Sequence, residues 1–311
     1  MFKVYTPDEM SNEQYHSDTE FVSGSALCVI YGKSPAAWRF GERETTPALE
    51  FGIASHAALL EPEKFNAEFV RNIDKEDYPD ALTSDTAIKS WLKEKGVTGY
   101  STKRGADLVE MAKRTEDQVQ LWSEMQSDFI DAHDGRVIVK PADYDKIMQM
   151  RAVVFADVEY SEKLSTGFAE FSIFGEIDGV KVKVRPDIMT SVGGIWDYKS
   201  CADASPDKFG MACYDHGYLL KMALQHDMFE AAYGRKPLDV VLLAQEKKPP
   251  FIAQAYELGE QELAIGRWQY KQALATYKRC KDTDTWPAYG GGVSPLTLRD
   301  FIYKKHDEAL K

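Results

Sequence analysis

Asp187, Asp197 and Lys199 are the residues of this chain best placed by type and spacing to do chemistry. Asp197 and Lys199 stand two apart in Ile195-Trp-Asp-Tyr-Lys199. That run has strand character, so both side chains fall on one face of it. The run before it, from Val180 to Ile188, alternates apolar and basic residues, the period of a half-buried strand. Ser191-Val-Gly-Gly194 supplies a turn between the two. A hairpin of this shape brings Asp187, Asp197 and Lys199 to one side of a sheet. Two carboxylates meeting there repel unless a cation lies between them, and hard oxygen ligands suit Mg²⁺ or Mn²⁺. Such an ion lowers the pKa of its water and neutralises charge on a phosphorane, while the ammonium orients the nucleophile or stabilises developing charge. The chemistry indicated is phosphodiester hydrolysis. The competing reading makes Asp187 a turn residue, Asp197 a solvated strand end and Lys199 a surface lysine; the paired spacing favours the site.

The elements that must hold these residues are read in chain order. Residues 1–22 form a loose or strand-like lead. Ser23-Gly-Ser25 caps a helix over Ala26–Tyr31, and Ser34-Pro35 starts another. Thr45–Glu61 reads as an amphipathic helix with Leu49, Ile53, His56, Ala57 and Leu60 near one face. Asp85–Glu94 is a short helix, Ser101–Ile130 a long one, and Lys140–Val158 a third. Strands follow over Phe168–Lys199. A helix then runs from Ser205-Pro206 to Tyr233 with a break at Gly217, and Gly234 ends it. Strands over Leu238–Gln245 and Phe251–Glu257 and a helix over Glu260–Arg279 complete the pattern. Helices, then strands, helix, strands and helix imply an α/β fold: a mixed central β-sheet flanked by helices over 161–311, behind a helical N-terminal region over 1–160. One compact domain is expected overall.

At the acids and lysine the text resembles a known signature. Pro186-Asp187, nine residues, then Asp197-Tyr-Lys199 is similar to the PD-(D/E)XK nuclease motif in its D-x-K form. Phe51-Gly-Ile-Ala-Ser-His56-Ala-Ala-Leu-Leu-Glu-Pro-Glu-Lys-Phe65 resembles a helix of the RecE-like (exonuclease VIII) group. Ser25-Ala-Leu through Ser34-Pro-Ala-Ala-Trp38 and Trp286-Pro-Ala-Tyr289 resemble its opening and closing segments. The resemblance runs from Ser23 to Tyr289 and is poorest over 72–160. It implies a restriction-endonuclease-like core with Asp187, Asp197 and His56 about the metal, a Tyr198 carbonyl as a further ligand, and Lys199 and Glu170 as catalytic groups. Glu176 is the rival acid. A lone histidine on an apolar face is more often a core residue; only the resemblance assigns His56 to the site. The group's Q-x-x-x-Y helix pattern is not matched. Gln225 with Phe229 is the best fit, and one turn earlier Lys221 takes the glutamine place, where it would contact DNA, and Gln225 the tyrosine place. Gln225 lies on the same face either way.

Further residues are open to two readings. Trp38, Arg39 and Arg43 could meet a DNA phosphate or prise a duplex end, or form a surface helix paired with Glu42 and Glu44. Lys181, Lys183 and Arg185 could track phosphate, but a solvated face is favoured. The net charge of −12 argues against tight coating of DNA while leaving room for a local positive groove. The composition supports a sizeable core, with no run of eighteen apolar residues for a membrane span. No apolar leader stands at Met1–Glu9, so a cytosolic protein is expected. Cys28, Cys201, Cys213 and Cys280 are too widely spaced for an iron–sulfur cluster. No Walker motif, zinc pairing or G-x-S-x-G occurs.

The expected function is a Mg²⁺-dependent exonuclease that digests duplex DNA from 5′ ends, leaving a 3′ strand for a single-strand annealing partner. The resemblance further implies a homo-oligomer and a phage setting. An endonuclease or single-strand nuclease of the same superfamily, and a silent DNA-binding relative, are the alternatives.

Overall fold

The computed structural model describes residues 2–42, 45–290, 293, 295–298 and 300–307. Its strands are β1 (Lys3–Tyr5), β2 (Val22–Ser23), β3 (Phe69–Arg71), β4 (Val137–Val139), β5 (Phe168–Ala169), β6 (Ser172–Ile177), β7 (Val180–Val184), β8 (Ile188–Met189), β9 (Ile195–Cys201), β10 (Val240–Glu246) and β11 (Ala253–Glu257). Its helices are α1 (Asn12–Ser17), α2 (Gly24–Gly32), α3 (Pro35–Phe40), α4 (Pro47–Leu60), α5 (Pro62–Glu68), α6 (Asp85–Glu94) and α7 (Ala106–Thr115). They continue with α8 (Trp122–Ala132), α9 (Pro141–Ala156), α10 (Val158–Thr166), α11 (Pro206–Asp215), α12 (Tyr218–Tyr233), α13 (Glu260–Thr283) and α14 (Asp300–Lys305).

The fold is the expected α/β architecture, with its strands in two principal sheets. One has the order β11-β10-β9-β8-β5, and only its β9–β10 pair is parallel. The other has the order β1-β6-β7-β2. The chain passes between them at Arg185-Pro186-Asp187. Proline there ends β7 because it has no N–H for a ladder bond. The expected single strand from Val180 to Ile188 is thus two strands in two sheets. β1 and β2 pair with β6 and β7, so the region before residue 160 supplies strands as well as helices.

Side-chain alternation along β9 sets the layers. Ile195 joins the core that β6, β7 and β10 share with α2, α12 and α13. Trp196 and Tyr198 point the other way, against Leu59 of α4 and Val154 of α9. α12 buries nine of its sixteen residues, so it is packed on several sides and shows no clean amphipathic stripe. Leu220, Met222, Leu224, Met228 and Phe229 are fully enclosed. Each such side chain contributes roughly 1.5–3 kcal/mol of burial free energy.

α12 and α13 touch most closely at Gly266. A Cβ there would lie 2.0 Å from the Leu219 carbonyl oxygen and 2.8 Å from the Ala223 Cβ. Neither backbone can retreat without moving a helix. Gly266→Ala is therefore expected to lower stability by about 1–3 kcal/mol despite alanine's better helix propensity. A urea titration checks this, and an unchanged or higher midpoint would contradict the packing.

Three expectations are corrected. Residues 101–130 form two helices, α7 and α8, rather than one long one. The stretch between them is extended: Leu82 donates its N–H to the Gln120 carbonyl and Trp122 donates to that of Leu82, which lets Leu121 enter a local core. Leu49 and Ile53 of α4 are not core residues; both are about half exposed and line a cleft. Lys183 and Arg185 are not a solvated face. Lys183 is buried and donates to the Tyr15 and Asp18 carbonyls. Arg185 donates to Ser172 Oγ at 2.7 Å, the Met10 carbonyl at 2.8 Å and Asn12 Oδ1 at 3.3 Å. These two cations tie the N-terminal segment to the sheet. Lys181 alone of the three is exposed, paired with Glu20.

Candidate active site

Asp187 lies just before β8, opposite Asp197 on β9, because the ladder pairs Ile188 with Trp196. The Tyr198 N–H donates to Asp187 Oδ2 at 2.8 Å, which locks this corner. Asp197 is wholly buried. Lys199, one step along the same face, donates to its Oδ1 and lies 3.7 Å from Asp187 Oδ2. From α12, Lys221 donates to Asp197 Oδ2 at 2.6 Å and stands 3.8 Å from Asp187 Oδ1. Two ammonium groups thus bridge two carboxylates.

α4 delivers His56 from the other side. Its Nε2 is 3.3 Å from Asp187 Oδ2 and 3.5 Å from Glu170 Oε1. Glu170 follows β5 with φ at 55°, a left-handed conformation that costs a non-glycine residue about 1–2 kcal/mol. Its N–H donates to the Asp187 carbonyl at 3.1 Å, which fixes the bend and turns the carboxylate inward. Arg185 Nη1 approaches Glu170 Oε2 at 3.8 Å. Glu176, the rival acid, is exposed on β6.

The electrostatics follow from this crowding. Burial alone would raise the Asp187 carboxyl, but Lys199, His56 and Lys221 outweigh it and hold the group well below the usual carboxylate range. Burial, helped by the like charge of Lys221, brings Lys199 down to about 8. Burial raises Glu170 to about 7; Asp187 and Glu61 add to the rise, and His56 and Arg185 oppose it. Burial lowers His56, but Asp187 and Glu170 more than reverse this.

These groups open onto a cleft of about 500 Å³ between α4, α5 and β9, lined by Leu49, Ile53, His56, Glu170 and Lys199 among others. A smaller hollow of about 200 Å³ adjoins it, bounded by Asp187, Lys221, Gln225 and Ser25. Of the two registers considered for α12, Lys221 and Gln225 face this hollow together, whereas Phe229 is buried in the core. Gln225 is fully buried, and neither amide atom has a partner among the described residues. A buried orphan amide costs on the order of 1–3 kcal/mol, which suits a residue awaiting a polar ligand.

The residues fit a hard divalent cation. Buried carboxylates, an imidazole and the Tyr198 carbonyl, to which Lys199 donates at 3.0 Å, form an oxygen-rich donor set. Asp187, Asp197, His56 and Glu170 would hold the ion.

Three contributors escaped the sequence reading. Lys221 entered as a register alternative that would contact DNA, with no sign that it would bind Asp197. Arg185 was placed on a solvated face. Glu61 stood in the Leu-Glu-Pro text without a role, yet its carboxylate, that of Glu170 and a His56 nitrogen lie within 4.8 Å of one another. Arg39 is elsewhere. α3 packs on α13, with Trp38 against Tyr277 and Trp286 and the Arg39 guanidinium 5.9 Å from the Trp286 ring. Arg43 lies outside the described residues. All four cysteines are free thiols. Among the described residues no helix is long and apolar enough to cross a membrane.

No curated protein shows significant sequence similarity to the chain. A similar fold occurs in the crystal structure of a "Putative exonuclease" from Eubacterium rectale. It superposes with a TM-score of 0.56 at 13% identity, over 95% of this chain and 97% of the other. At that identity the likeness is one of fold. Residues 33–297 match the family described as "PDDEXK-like domain of unknown function (DUF3799)". That match spans most of the chain and takes in His56, Glu61, Glu170, Asp187, Asp197, Lys199 and Lys221, so the chain belongs to this PDDEXK-like family.

Proposed function

We propose that the protein is a metal-dependent deoxyribonuclease acting at the ends of duplex DNA, with a RecE-like 5′-to-3′ polarity that leaves a 3′ single strand. The observation that carries the reading is the meeting of Asp187, Asp197, Lys199, Lys221 and His56 at one buried corner of a cleft. Mg²⁺, when bound there, supplies charge neutralisation and a water of lowered pKa.

The chain's own residues do the rest. Lys199, whose amine is brought down to about 8, takes the proton of the attacking water. Lys221 meets phosphate charge from the α12 side, and the Gln225 amide donates to a non-bridging oxygen. His56 fixes the orientation of Asp187 and Glu170. Product strands would pass to a single-strand annealing partner, and assembly of several copies around the duplex belongs to the same reading.

Linear duplex labelled at its 5′ ends or, separately, at its 3′ ends, compared with a closed circle, tests it. With Mg²⁺ the linear DNA should release labelled 5′ nucleotides while the circle stays intact. Nicking of the circle would make the protein an endonuclease. Release of 3′ label first would reverse the polarity.

A further inference from the structure

The chain between β3 and β4 is an insertion with its own core, formed by Ile88, Leu92, Leu108, Ala112 and Leu121. β3 and β4 pair in parallel but are only three residues each, so the insertion leaves after Arg71 and returns at Val137 a short distance away. Phe69, at the start of β3, lines the cleft, which places the base of the insertion at the cleft wall. Arg71 braces that base through Asp77 at 2.9 Å and Asp145 at 2.8 Å.

Within the insertion α6 and α7 run side by side in the same direction. The N–H of Gly105, before α7, donates to Asp85 at the start of α6 at 3.1 Å. Lys95, after α6, meets Glu116, after α7, at 2.6 Å. The loop between the helices must run back along the pair, and Lys89 of α6 donates to the Ser101 carbonyl at 3.0 Å. Lys89, Lys93 one turn later, Lys103 and Arg104 therefore share an edge. From the start of α6 at Asp85 to the end of α7 at Thr115 there are seven lysines and arginines against four acids, in a chain of net charge −12. Lys93, Lys103 and Arg104 are exposed. Lys103 pairs with Asp107 at 3.3 Å in full exposure, a contact that exchanges readily for a phosphate. Lys113 and Lys95 are turned instead toward Glu124 and Glu116.

We infer that this basic edge of the α6–α7 pair is a second DNA contact, gripping backbone phosphates of the duplex that trails from the cleft. The inference rests on the nuclease reading above. A local cluster of positive charge on an acidic protein selects a polyanion. The acidic remainder repels DNA, so the basic edge carries a large share of the phosphate contacts and of their salt dependence.

The full-length protein with Lys93, Lys103 and Arg104 all changed to Gln tests this. Its binding to a duplex of about 40 base pairs is measured with Ca²⁺ in place of Mg²⁺, from about 50 to about 200 mM salt. Affinity should fall about tenfold, and the slope of log affinity against log salt should become shallower by about 2 to 3. A control with Lys236, Lys271 and Lys278 changed to Gln removes the same charge from another face and should bind like the native protein. If the first variant keeps the native affinity and slope, the inference falls and the nuclease reading stands. If the control weakens binding equally, net charge is the cause and the inference again falls. If the native protein neither binds nor digests DNA, both readings fall.

Discussion

Asp197→Asn should slow Mg²⁺-dependent DNA digestion about 1000-fold or more, a loss of about 4 kcal/mol of transition-state stabilisation. Asparagine keeps the shape of the side chain, so little repacking is expected at a site with no solvent exposure. The charge is what disappears. In the native protein this carboxylate accepts from both Lys199 and Lys221. Without it two crowded ammonium groups are left with Asp187 alone, and the melting temperature should also drop. Because Lys199 already titrates near 8, that drop should shrink as pH rises above 8 and the amine sheds its proton. Adding Lys221→Met should restore stability by removing the second cation, yet leave digestion slow. A variant that digests linear duplex as fast as the native protein would remove the metal site from the explanation.

Lys199→Met should cost about 100- to 10,000-fold and abolish the alkaline dependence of the rate. The sign follows from the base form being the active one. For the native protein, kcat/KM should climb as pH rises through about 8 and level off above it, where the neutral amine predominates. Burial is the main cause of that low value and the positive charge of Lys221 is the next. Lys221→Met takes away the like charge, so the climbing limb should move to higher pH. A limb that stays in place in both variants would show that Lys199 is not the proton acceptor.

What could be read from the text was what short-range rules govern. Alternation and a turn signal placed Asp197 and Lys199 on one strand face and Asp187 across from them. Gly217 and Gly234, both with positive φ, bound α12 where a helix break and a helix end were expected. What escaped depended on contacts distant in sequence. Val-Lys-Val-Lys-Val reads as a half-solvated strand, and nothing local says that residues 10–18 fold back to cover Lys183 and Arg185. Lys221 could be assigned to a helix face, but its partner is twenty-four residues earlier on another element. The apolar stripe of α4 was legible as a stripe. That Leu49 and Ile53 would border a cleft instead of filling a core was not, since periodicity marks a face without naming what it meets.

The strapping of residues 10–18 by Lys183 and Arg185 bears on how the protein can be handled. Asn12 and His16 stand in the cleft wall, and carbonyl and amide oxygens of the same segment accept hydrogen bonds from cations that the sheet could not otherwise enclose. A shortened form translated from a later initiation codon, or an affinity tag clipped inside this stretch, would strip the cover from buried Lys183 and from Arg185 beside Glu170. Such a product would fail as a folded body before its catalysis could be judged, and its silence in an assay would say nothing about Asp187 or Asp197.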